Sequence, residues 1–367
     1  MKSLAQLGNE LYSGTTSFPF VGRRRLWYAI AGAVVLASIV LIITVGLTPG
    51  IDFRGGSEVT VTALAQPDVG PANDVLAQEG LSSGSSVSTL GSSSVRVQTN
   101  ELSNEQLKDL SAALAQAYGV TDADVSATTI GPTWSSDVTN KGIRGLIIFF
   151  VLVGALIWAY FRTWKMAAAA LLALVHDILI TVGVYAASGF EVTPATIIGV
   201  LTILGYSLYD TVVVFDKVRE NTEGFETQTR STYGELANLA VNQSLIRSIN
   251  TSIVGVLPVA SLLVVGAFIL GAGTLRDIAL TLFIGMIAGT ISSLFLTTPI
   301  LVDLRGREKV IKDQAARVAK ERGERIAAVG DDPEALAAIA AAPVAAPVIP
   351  GHHLGVSAQP KRKKKRS

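Results

Sequence analysis

Cysteine is absent from all 367 residues, which removes disulfide frameworks, thiolate metal sites and cysteine nucleophiles together while leaving the compartment open. Histidine is almost absent. Of the three, His352 and His353 lie in a Pro/Ala-rich tail, so His176 is the only one in the body of the chain and no metal site is expected. A serine hydrolase needs a base beside its nucleophile, and one body histidine with no G-x-S-x-G elbow does not supply that arrangement. No G-x-x-x-x-G-K-[ST] loop is present to bind ATP in the P-loop manner. Neither an enzyme nor a cofactor is therefore expected. Charge is scarce too, at 16% of residues, and the formal net charge of +1 offers no bulk attraction for nucleic acid in the core of the chain.

Apolar residues are what remains. They make up 49% of the chain, mean hydropathy is +0.46, and the composition is that of an integral membrane protein. The first apolar span, 26–46, follows Arg23, Arg24 and Arg25, is too long for a signal-peptide core and lacks an A-x-A-like exit, so it reads as an uncleaved anchor. Further runs recur at about 145–161, 166–187, 195–215, 246–270 and 275–300. The expected fold class is an α-helical polytopic membrane protein with six transmembrane helices, arranged as one plus five. Arg162, Lys165, Lys217, Arg219, Arg305, Arg307 and Lys309 join the N-terminal arginines on one side if the spans alternate, while the loops 188–193 and 271–274 carry no Lys or Arg. This predicts a multi-pass protein with both termini cytoplasmic, 1–25 being the N-terminal segment.

Residues 49–141 then fall outside the cytoplasm. Their short β-like and helix-like runs predict a small α/β ferredoxin-like domain between the first two spans: strands over 58–64, 94–98 and 125–130, and a helix over 103–118 capped by Ser103. The Ser/Gly-rich piece 82–94 reads as a turn or flexible connection. The five-span domain covers 143–304, followed by a basic amphipathic cytoplasmic segment, 305–326. Residues 327–367 form an Ala/Pro-rich tail predicted to be disordered. Its basic end, Lys361 to Arg366, either touches anionic lipid headgroups or RNA, or only solubilises the tail.

One carboxylate, Asp210, lies inside an apolar span, where a charge is expensive and needs a partner or a proton. Arg247 opens the next, antiparallel span at similar depth. The two are a candidate pair, read either as a proton-coupled switch or as a static ion pair that fixes packing. Thr202, Tyr206 and Asp210 recur at i, i+4 and i+8 as a hydroxyl-bearing stripe, and Asn250 adds a polar group beside Arg247; each has the alternative of a plain intrahelical bond. His176 and Asp177 are consecutive in mid-span, so both cannot face one way, and each is a relay candidate or a buried structural hydrogen bond. Pro258 frees a carbonyl in its helix and is a hinge candidate. Gly55 and Gly56 are either a hinge into the outer domain or a tight turn into a strand. Gly285 and Gly289 form a G-x-x-x-G pair that allows close helix approach.

GIDFRGG (50–56), VTPATIIGVLTILGYSLYDTVVVFDKVREN (192–221) and NQSLIRSINTS (242–252) together resemble SecF of the SecD/SecF family of protein-export membrane proteins, in the RND superfamily, over about 22–304. The phenylalanine of GIDF and the short outer domain favour SecF over SecD. The resemblance implies a bacterial inner-membrane subunit that pairs with SecD and acts with the SecYEG channel on a translocating preprotein. It also implies YajC or a YidC-type insertase as associates, and use of the proton-motive force, with Asp210 and Arg247 on the proton path. Membrane lipids are its surroundings. The chain departs from the family's pattern at Tyr209, where Asn is expected, and at Ser248, where Thr is. Half of a proton-driven RND-type exporter of small molecules or lipids remains the alternative. A six-span half without an internal repeat wants a second half in either case.

Overall fold

The computed structural model describes residues 4–269, 273–330 and 332. The chain runs through α1 (Leu4–Ser13), α2 (Arg24–Thr44), β1 (Thr48–Pro49), α3 (Ile51–Arg54), β2 (Gly56–Val61), α4 (Gly70–Gln78), β3 (Ser86–Leu90), β4 (Ser94–Thr99), α5 (Asn104–Tyr118) and β5 (Val125–Ile130). It continues through α6 (Pro132–Phe161), α7 (Trp164–Ser188), β6 (Glu191–Val192), α8 (Pro194–Asn221), α9 (Tyr233–Leu263), α10 (Gly273–Ser292), α11 (Thr298–Arg305) and α12 (Lys309–Val329). Six helical spans among the described residues are long and apolar enough to cross a membrane: 24–44, 132–161, 164–188, 194–221, 233–266 and 275–305. The expected one-plus-five spacing is present, with the α/β domain between the first two spans.

Between α2 and α6 the order is strand, helix, strand, strand, helix, strand, and the sheet runs β3-β4-β2-β5 with all neighbours antiparallel. This is the ferredoxin-like arrangement. Alternation puts Val59 and Val61 of β2 and Val95 and Val97 of β4 on the face covered by the two helices. There they meet Val75 and Leu76 of α4 and Leu110 and Leu114 of α5. Ser103 caps α5 through a complete capping box with Gln106, and Gly119 ends it in the left-handed conformation. One expectation is corrected. The Ser/Gly-rich piece 82–94 contains strand β3, which is an edge strand paired only to β4, so that Val87 against the core and Leu90 buried suffice where a central strand would need more apolar residues. Helix α4 and the short α3 were not expected at all; Gly and Pro at the start of α4 masked it.

The chain divides into two compact units. One consists of 23–213 and 247–301 and holds the α/β domain with most of the apolar helices. The other consists of 1–22, 214–246 and 302–367. Within this second unit Asn242 and Asn238 accept the backbone N–H groups of Phe18 and Val21 at 2.7 and 3.0 Å, tying the N-terminal segment to the start of α9. The basic segment after 305 is the helix α12, which buries Ile311, Gln314 and Val318 while its charges stay outside. Gln314 donates to the Ser231 carbonyl at 2.8 Å. The tail predicted to be disordered, with its basic end, lies outside the described residues apart from the end of α12.

Candidate functional site

Ile203, Leu204, Ser207, Asp210, Thr211 and Val214 are all buried, and their three- and four-residue spacing makes them one face of α8. Asp210 therefore points into the protein. Ser248 Oγ on α9 donates to its Oδ1 at 2.5 Å, and Ser293 Oγ donates to its Oδ2 at 2.6 Å. Ser293 opens a π-helical stretch, Ser293–Thr297, that interrupts the last span between α10 and α11, and such bulges recur at functional sites. The same hydroxyl also lies 3.0 Å from the Thr290 carbonyl, so it has two acceptors available.

Arg247 does not pair with Asp210 among the described residues. Its exposed guanidinium donates to the Tyr209 hydroxyl at 3.4 Å. The reason is helical geometry: consecutive side chains point about 100° apart, so once Ser248 faces Asp210, Arg247 faces away. The two neighbouring pairs, 210 with 248 and 209 with 247, thus lie side by side, one buried and one on the open face of the bundle. Both positions at which the sequence departs from the family's pattern, Tyr209 and Ser248, sit directly at the site.

The expected hydroxyl stripe also spreads over more than one face. Eight residues overshoot two helical turns by about 80°. Thr202 is exposed and bonds back to the Ile198 carbonyl at 2.8 Å, Tyr206 is half-buried and donates to the Thr251 carbonyl at 3.1 Å, and only Asp210 is enclosed. Asn250 is exposed. Pro258 lies within α9, six residues before a π-helical stretch, Val264–Ile269.

His176 and Asp177 separate as their sequence positions demand. Asp177 is fully buried and accepts the Ser207 hydroxyl at 2.7 Å, one turn along α8 from Asp210. His176 lines an apolar groove of 370 Å³ together with Trp27, Val34, Ile180 and Phe295, and its Nδ1 lies 3.2 Å from Asp177 Oδ1. In GIDFRGG, Gly55 and Gly56 both have positive φ, 76° and 134°, and a Cβ on Gly56 would collide with the Thr99 carbonyl oxygen. Just before them, burial and then the Glu58 carboxylate push the Asp52 carboxyl above its ordinary value.

Several residues of this bundle escaped the sequence reading. Ser207 and Ser293 carry no signal beyond being small and polar in an apolar run. Asp277 did carry one: it is a buried carboxylate in the last span, subject to the same rule that singled out Asp210.

A polytopic bundle of this type, with a ferredoxin-like domain after its first span and enclosed carboxylates within, is a membrane transport component. Residues 110–307 match the family described as protein export membrane protein SecD/SecF, C-terminal, and residues 40–63 match the SecD/SecF GG motif. The chain belongs to this family. It is 46% identical over 332 residues to the protein translocase subunit SecF of Mycobacterium leprae, covering 86% of this chain and 70% of the relative. With SecF of Streptomyces coelicolor it shares 43% over 337 residues, covering 92% and 90%. A crystal structure of SecDF from Thermus thermophilus, described as translocon-associated, superposes with a TM-score of 0.71 at 29% identity over 80% of this chain. That match spans only 39% of the SecDF chain.

Proposed function

We propose that this chain is the SecF-type half of an accessory unit of the Sec protein translocase. In this reading it pairs with a SecD-type half, works beside the SecYEG channel, and couples proton movement to the late steps of export. The α/β domain then lies outside the cell membrane and both termini inside, as the distribution of Lys and Arg favours. The observation that carries the reading is the enclosed Asp210 between two serine hydroxyls of different helical segments. An ionised carboxylate only accepts hydrogen bonds, whereas a protonated one must donate one. When a proton binds Oδ2, Ser293 Oγ turns from donor to acceptor, and its own hydrogen passes to the Thr290 carbonyl, 3.0 Å away. Loss of the proton reverses the exchange. Arg247 is the second member of the path: rotation of α9 in the sense that withdraws Ser248 carries the adjacent guanidinium toward Asp210.

The exposed Arg247 and Tyr209, together with apolar side chains such as Ile198, Val254 and Leu257 on the same two helices, support a partner half on this face, because a lipid-facing arginine is costly. The fused SecD and SecF halves of the Thermus relative support the same pairing. The test is preprotein secretion by the full chain carrying Asp210→Asn or Arg247→Met, at unchanged membrane levels. Each substitution is expected to abolish the proton-driven component. Normal secretion in either would sink the coupling. Recovery of the chain with an efflux partner instead of the translocon would favour the exporter reading.

A further inference from the structure

At the end of the bundle that carries the α/β domain, residues 190–193 between α7 and α8 are held from two sides in alternation. Phe190 lies under the Arg276 guanidinium, 5.2 Å from ring centroid to carbon. Glu191 is gripped by the domain: Arg96 of β4 donates to its Oε2 at 3.1 Å and Gln98 at 3.0 Å. The Val192 carbonyl accepts the Gly50 N–H at 2.9 Å, at the end of a two-residue parallel pairing of β1 with β6. Thr193 returns to the bundle, where its hydroxyl donates to Oδ2 of Asp277 at 3.2 Å. Extended backbone explains the alternation, since successive side chains point to opposite sides. Four residues thus join the first turn of α10 to the sheet of the domain.

Asp277 is almost wholly buried. Its Oδ1 takes Arg276 at 3.4 Å, and its backbone carbonyl takes the Tyr185 and Thr281 hydroxyls at 3.0 and 2.7 Å. Thr193 has an alternative partner, the Thr196 hydroxyl at 3.3 Å. The arrangement repeats that of Asp210, a buried carboxylate whose hydroxyl donor has somewhere else to point.

We propose that Asp277 is a second proton-binding site of this chain, and that residues 190–193 convey its charge state to the α/β domain. The inference rests on the proton-coupled reading given above. A proton arriving on Oδ2 makes that oxygen a donor, so Thr193 must accept from it and turn its own hydrogen to Thr196, while Arg276 loses the charge that holds it beside Phe190. The segment is then fixed only at Glu191 and Val192, and the domain is freed from α10. Asp210 has no such connection to the domain. Asp277 supplies one.

The titratable and charged groups that face this segment are Arg276 and Asp277 on α10, Tyr185 on α7, and Glu191 itself. On the domain side they are Arg96, Glu58, Arg54 and Asp52. The experiment must separate Asp277 from the other carboxylates. Amide hydrogen exchange of the full chain in liposomes, corrected for intrinsic rate, is followed over peptides spanning 48–56 and 189–196 from mildly alkaline to mildly acidic pH. Acid is expected to raise exchange at the Gly50 amide by about tenfold. Asp277→Asn should show the acid level at every pH, and Thr193→Val should loosen the same peptides with the carboxylate in place. A wild-type pH response in Asp277→Asn, its loss in Glu191→Gln instead, or unchanged exchange in Thr193→Val would each overturn the proposal. Asp210→Asn keeps the two readings apart. If it blocks secretion while Asp277→Asn retains the exchange response, only the second site fails; if it secretes normally, the coupling at Asp210 fails whatever the exchange shows.

Discussion

Replacing Gly285 by alanine tests how α8 and α10 are held together. A Cβ there would lie 2.6 Å from Cγ2 and 2.8 Å from Cγ1 of Ile203, and neither atom is the free end of a flexible chain. Isoleucine in a helix has essentially one χ1 rotamer, so relief must come from backbone movement. Overpacking of this kind costs about 1–3 kcal/mol. Against it stands the gain in helix propensity from glycine to alanine, about 1 kcal/mol. The net expectation is a loss of about 0–2 kcal/mol. Gly145, in α6, has nothing within 4 Å of the corresponding position, so Gly145→Ala should show only the gain. Thermal unfolding of the full chain in detergent reads both. The decisive variant is the pair Gly285→Ala with Ile203→Ala: the second substitution removes the obstacle, so the two effects must not add, with a coupling of at least about 0.5 kcal/mol. Additive effects, or a Gly285→Ala protein as stable as Gly145→Ala, would refute the close approach as the cause.

Leu110→Ala should destabilise the α/β domain by about 2–5 kcal/mol, seen as a lower denaturant midpoint with unchanged slope, because the side chain is wholly buried in the domain core. The Asp52 carboxyl sits above its ordinary 3.8 in the folded chain, so the folded state binds this proton more tightly than the unfolded one. Its contribution is fully favourable below the unfolded value and is lost as pH rises through the folded one. Asp52→Asn should flatten that part of the stability profile and raise stability at neutral pH. Ser293→Ala should impair secretion and Ser293→Thr should retain it, since threonine keeps the hydroxyl that alternates between Asp210 and the Thr290 carbonyl.

The six spans and the domain between the first two were legible because hydropathy and the period-2 and period-3.6 patterns survive without tertiary information. Strand β3 was not. An edge strand needs few apolar residues, and a run of serines does not announce one. At the site, the cost of a charge in an apolar run identified Asp210, yet the expected partner was wrong by one position. Ser248, not Arg247, meets Asp210, because pairing by depth fixes the level along a helix and leaves its rotation undetermined. Hydroxyl donors such as Ser207 and Ser293 are invisible to a search for compensating charge. Asp277 could have been found, and was passed over because it stands close to the end of its span.

The guanidinium of Arg247 on an open face also bears on how such a subunit is made. Arginine at the centre of a spanning helix costs about 2.5–3.5 kcal/mol on insertion scales, and Arg247, which opens its apolar run, carries part of that. A copy that fails to find its other half would be a misfit in the bilayer, marked by the same side chain that serves the assembled unit. Surveillance proteases would then need no separate signal to remove unmatched copies, and equal numbers of the two halves could be kept without matched synthesis.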